Sequence, residues 1–62
     1  MKRMTDDAFH SFLEPGQWVR HPDHPEWGDG QVQSAISHRV TVNFLHMGKV
    51  VLDARVVTLA VI

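Results

Sequence analysis

The chain has no cysteine and no tyrosine, and no clear excess of either charge. Each shortage excludes something. Without cysteine there is no disulfide to staple a short chain and no thiolate to serve as nucleophile or zinc ligand. The absence also fits a cytoplasmic setting. An aromatic cage for methylated lysine needs several converging rings, and two tryptophans with no tyrosine do not supply them. The formal net charge is -1 with the five histidines neutral, which lacks the basic surplus of an electrostatic nucleic-acid binder. No apolar run approaches the roughly 18 residues of a membrane span, so no membrane partner is expected. The apolar tail, residues 56–62, is too short and contains Thr58. The charges of residues 1–7 have no apolar run behind them, so this segment does not read as a signal peptide.

What remains is a single small domain. A chain of 62 residues buries only about 60% of the surface its unfolded form exposes, and its stability is correspondingly marginal. Its texture changes near residue 14. Asp6 and Asp7 lead into Phe9, Phe12 and Leu13, an i, i+3, i+4 pattern that predicts a short amphipathic helix capped by Thr5 or Asp6. Pro15 and Gly16 end it. Two turns of helix do not persist alone in water, so residues 1–14 read as an arm that docks or frays.

From Gln17 onward the period is two. Residues 17–20 form a first strand, and residues 31–36 a second with Val32 and Ile36 on one face. Residues 39–44 alternate cleanly, with Val40, Val42 and Phe44 inward and Arg39, Thr41 and Asn43 outward. Residues 49–53 place Val50 and Leu52 inward, and Val57 with Leu59 form a last short strand. Between the first two strands lies a shaped corner, His21-Pro22-Asp23-His24-Pro25-Glu26-Trp27-Gly28-Asp29-Gly30. Its prolines fix φ and its glycines permit turns closed to other residues. The connections are hairpin-sized, so the sheet is antiparallel. Five short strands hide their edges by curling together. The expected fold is mainly β: a five-stranded antiparallel SH3-like (Tudor-like) barrel over residues 15–62, with the arm before it.

The segments Gly16-Gln17-Trp18-Val19-Arg20-His21-Pro22, Trp27-Gly28-Asp29-Gly30-Gln31-Val32, Val40-Thr41-Val42-Asn43-Phe44 and Gly48-Lys49 together resemble the SH3-like domains of bacteria. The pattern is similar to the RNA-polymerase-interacting domain of CarD-type regulators and to the C-terminal Tudor-like domain of superfamily 1 repair helicases. It is also similar to a family of short, uncharacterised bacterial proteins carrying Pro25-Glu26-Trp27-Gly28 and Gly48-Lys49. The resemblance implies a barrel that docks on RNA polymerase through the strand of residues 39–44 and its neighbouring loops. Neither the helicase core nor the DNA-binding domain of those relatives is expected within these 62 residues.

The candidate sites are few. Trp18 reads as an outward anchor for a partner, because tryptophan is enriched at binding hot spots and Val19 is the better core residue. Trp27, beside two glycines, reads as a plug of the corner. Arg20, Arg39, Lys49 and Arg55 form either a basic face or an ordinary solvated surface. The decisive question is whether Arg20 and Arg39 lie together near Trp18. His21, Asp23, His24 and Glu26 lie in one turn and match no zinc spacing; with His38 or His46 they would have to complete a metal set. No catalytic, cofactor or metal site is expected. The expected function is non-enzymatic: a protein-binding surface of Trp18, Arg20, Arg39, Thr41 and Asn43, with RNA polymerase the first partner. A nucleic-acid-binding barrel is one alternative, through tryptophan stacking and the basic residues. The other is a structural subunit that self-associates through Phe9, Phe12, Val61 and Ile62.

Overall fold

The computed structural model describes residues 13–62. Five strands form one antiparallel sheet: β1 (Trp18–Arg20), β2 (Asp29–Ile36), β3 (Arg39–Phe44), β4 (Gly48–Asp53) and β5 (Ala60–Val61). A 3₁₀ turn, Pro25–Trp27, sits between β1 and β2. The spatial order is β4-β3-β2-β1-β5. The two end strands do not pair with each other, so the sheet is open. The helix expected to begin at Asp6 lies outside the described residues except for Leu13 and Glu14, which are not helical. Among the described residues no helix is long and apolar enough to cross a membrane.

The core is small and almost wholly β-branched. Val19, Val32, Val40, Val42 and Phe44 are each at most 2% exposed. Leu13, Trp27, Ala35, Val50, Leu52, Ala54 and Leu59 pack around them. Valine loses little on the pleated surface because its χ1 is already restricted. The alternation of β3 carries the arrangement: Val40, Val42 and Phe44 point inward while Arg39 and Asn43 face solvent.

Room for Phe44 comes from Gly30. These two stand opposite each other in the β2–β3 register. A Cβ on Gly30 would lie 2.5 Å from Val42 Cγ1 and 2.6 Å from Phe44 Cδ1, far inside van der Waals contact. The absent side chain is therefore space that the core already occupies.

Two sequence expectations are corrected. Ile36 does not share the inner face with Val32; it is 71% exposed, while Ala35 packs on the core. The cause is a β-bulge: Val32 pairs with Val42, but the next paired residue is Ser34, opposite Thr41. Gln33 is the extra residue, and it shifts the inward phase by one. The last strand also lies later than Val57–Leu59. The carbonyl of Asp53 accepts from the N–H groups of both Val56 and Val57, which carries the turn through Val56. Pairing with β1 then begins at Ala60, opposite Arg20.

Candidate functional site

Strand register decides which exposed residues are neighbours. Trp18 pairs with Gln31, Gln31 with Asn43, and Asn43 with Lys49. These four make one row across the outer face of β1, β2, β3 and β4. Trp18 is 44% exposed, although Val19 beside it is fully buried. The Ile62 N–H donates to the Trp18 carbonyl at 3.0 Å, so an exposed isoleucine extends the apolar end of the row. Gln31 Nε2 donates to the Gly16 carbonyl at 3.3 Å. Gln31 and Lys49 belong to this row beside the expected Trp18 and Asn43. Their place depends on pairing between strands, which spacing along the chain does not express.

Arg20 stands next to Trp18 on the same face. Its guanidinium Nε and Nη2 donate to Asp29 Oδ1 at 3.1 and 2.8 Å across the β1–β2 pair. Both partners are substantially exposed, so the ion pair adds at most about 1 kcal/mol. Its main effect is to hold the arginine flat along the sheet. Arg39 and Thr41 share this outer face but lie toward the far end of β3, opposite Asp53 and Val51. Arg20 is level with Asp29, whose carbonyl accepts from the Leu45 N–H. Six residues of β3 and its turn separate that level from Arg39, roughly 20 Å at about 3.3 Å per residue. Arg20 and Arg39 therefore do not form one basic patch at Trp18. The five residues expected to bind a partner split into Trp18, Arg20 and Asn43 at one end and Arg39 with Thr41 at the other.

Arg55 is bound within its own turn. Its Nε and Nη2 donate to the two carboxylate oxygens of Asp53 at 3.0 and 2.8 Å, and its backbone N–H donates to Oδ1 at 2.9 Å. The guanidinium first, and the Arg55 N–H second, hold the Asp53 carboxyl down at about 2. The ionised form is thus favoured by folding. Its contribution is present above the usual aspartate value of 3.8 and is lost as pH falls toward about 2. In an NMR titration of its side-chain carboxyl carbon, Asp53 is expected to show a midpoint at about 2. Arg55→Gln is expected to return its midpoint toward the ordinary range near 3.9. An unchanged midpoint would show that the ion pair does not set it.

The corner is a closed stack of rings. His21 is 4% exposed, and its Nδ1 accepts the Asp23 N–H at 3.2 Å. In the neutral ring this leaves the proton on Nε2. His24 lies flat on Trp27, with ring centroids 4.1 Å apart and planes within 5°. His21 meets both rings edge-on at 4.8 and 5.0 Å. The other neighbour of Trp27 is Phe44, at 5.2 Å. Trp27 thus joins the corner to the core. His24 Nδ1 lies 3.0 Å from Glu26 Oε2, and this contact pulls the Glu26 carboxyl below its usual value.

Backbone bonds complete the corner. The N–H groups of His24, Trp27 and Gly28 donate to the carbonyls of His21, His24 and Pro25. Gly28 takes φ 76°, ψ -170°, a conformation essentially confined to glycine. The His46 ring fills the space where a Cβ would stand, with Cδ2 at 2.7 Å. Among the described residues no group of three or more histidine or acidic side chains converges as a metal site.

Searches with the chain find no matching curated protein and no matching solved structure. A family model does match, over residues 13–62, which span the whole described sheet and its corner. The chain belongs to the DUF3553 family, described as proteins of unknown function.

Proposed function

We propose that the domain is a non-enzymatic protein-interaction module, and that its contact surface is the Trp18 end of the outer face. The observation that carries this reading is the exposed indole of Trp18, held on a strand whose next residue is fully buried. A rigid, partly exposed tryptophan offers large contact area at little entropic cost. Beside it, Gln31 and Asn43 offer amide donors and acceptors, and Arg20 is oriented by Asp29. The surface is mixed in chemistry, which suits a protein partner better than a phosphate backbone. The wide separation of Arg20 from Arg39 weighs against the nucleic-acid reading.

The fold reading that accompanies this is a partly open SH3-like barrel. The strand order β4-β3-β2-β1-β5, in which the last strand returns beside the first, and the bulge that bends β2 both support it. The resemblance to bacterial polymerase-interacting domains makes RNA polymerase the first partner to test. Tagged full-length chain is expected to retain polymerase subunits from a bacterial lysate. Trp18→Ala is expected to lower the amount retained at least about tenfold, the usual weight of a tryptophan hot spot, without a change in the circular dichroism spectrum. Failure to enrich polymerase with the bait in excess would remove that partner. Equal retention by the alanine variant would remove the surface.

A further inference from the structure

β4 ends the sheet on its longer open side. Its six residues pair with β3 along one flank, and among the described residues no strand lies along the other. At the opposite end β5 has only two residues. On the open flank of β4 the Asp53 carbonyl already accepts from the Val56 and Val57 N–H groups, so the main-chain groups offered to a matching chain centre on Lys49 and Val51. The side chains of β4 state what matches. Lys49, Val51 and Asp53 alternate on the outer face, and Val50 and Leu52 on the inner.

Suppose a second copy of β4 is laid antiparallel along the first, with a two-fold axis through Val51. Lys49 then stands opposite the partner's Asp53, and Asp53 opposite the partner's Lys49. Val51 meets the partner's Val51, and Val50 meets the partner's Leu52. We propose that two copies of the chain associate in this way, edge to edge through β4, into one sheet continuous across both subunits. The strand reads as its own complement: a positive end, an apolar centre and a negative end.

The register is narrowly determined. Opposite charges directly across a strand pair attract, and like charges repel. A slip of one residue would turn the two cores to opposite sides of the joined sheet. A slip of two would place Lys49 opposite the partner's Val51 or opposite the partner's Arg55, and both charge pairs would be lost. Asp53 can serve its new partner without releasing Arg55, because a carboxylate accepts about four hydrogen bonds. Val51, 61% exposed in the single chain, becomes covered. A contact of one strand pair is smaller than the roughly 800 Å² per partner of a standard interface. The dimer is therefore weak, with Kd in the range of about 10 μM to 1 mM.

Sedimentation equilibrium on the full chain up to about 1 mM tests this. The wild type is expected to reach a dimer and no larger species. Lys49→Asp and Asp53→Lys each set like charges opposite one another at both ends of the strand. Each is expected to weaken association at least about tenfold. An equimolar mixture of the two variants is expected to recover it, because every substituted side chain then faces one of opposite charge. Val51→Lys leaves both charge pairs in place and changes only an exposed residue. It is expected to abolish the dimer while preserving the circular dichroism spectrum, which guards against loss of the Asp53–Arg55 pair being mistaken for the effect. Trp18→Ala is expected to leave self-association unchanged, which separates this contact from the one proposed for an external partner. A wild type that stays monomeric at the highest concentration would overturn the proposal. So would a dimer indifferent to Val51→Lys, or a mixture that associates no better than its components.

Discussion

Phe44→Ala is expected to lower the melting midpoint of the domain by at least about 12 °C. Phe44 is 2% exposed and is the largest fully buried side chain among the described residues. It touches the Trp27 ring and fills the space over Gly30. Truncating a buried phenylalanine costs about 3–5 kcal/mol. A domain of this length has only about 3–9 kcal/mol in all, so one substitution removes a third of it at least. The loss also reaches the corner, because Trp27 then faces a cavity and its stack with His24 and His21 loses its floor. Thermal denaturation followed by circular dichroism gives the measurement. Phe44→Leu serves as the milder companion, at less than about 1.5 kcal/mol once repacked. A Phe44→Ala chain melting within about 5 °C of wild type would contradict the packing described, since about 1 kcal/mol moves the midpoint of so small a domain by about 4–8 °C.

Gly30→Ala is expected to destabilise the domain, although arguments from the backbone alone predict the reverse. A glycine inside a strand is ordinarily a weakness, and alanine there returns about 0.4–1 kcal/mol by restricting the unfolded chain. Steric overlap opposes this gain. The new methyl would stand 2.5 Å from Val42 Cγ1 and 2.6 and 2.8 Å from two ring atoms of Phe44. Neither neighbour can withdraw, because both are fully enclosed. Overpacking of this kind costs about 1–3 kcal/mol and outweighs the entropic gain. The explanation carries its own check. With Phe44→Leu in place, the added methyl has more room, so Gly30→Ala should cost less than it does in the wild type. Urea denaturation of the four chains measures that coupling. Strictly additive effects would show that the two residues do not compete for the same volume.

The inner face of β3 could be read directly from the sequence. Val40, Val42 and Phe44 repeat at period two without interruption, and nothing in that strand disturbs the phase. β2 was legible only as far as Val32. Beyond it the bulge at Gln33 inserts one residue, and no glycine or proline marks the place, so alternation alone puts Ile36 on the wrong face. The last strand was obscured by composition: residues 56–62 are apolar almost throughout, which leaves no alternation to fix a register. There the position is set by pairing to β1 and by the turn that Asp53 closes. The same limit applies to the candidate surface. That Trp18 and Arg20 face outward followed from the burial of Val19 between them. That Arg20 joins Asp29, that Lys49 completes the Trp18 row, and that Arg39 lies far from both are facts of strand alignment. They depend on which residues of separate segments stand side by side.

The two tryptophans occupy contrasting surroundings, and this gives the chain a built-in pair of optical probes. The indole of Trp18 is open to water at the surface. That of Trp27 is sandwiched between an imidazole and a benzene ring. Emission from the first responds to whatever settles against it, while emission from the second responds to unfolding. A single unlabelled sample thus distinguishes docking from melting by colour.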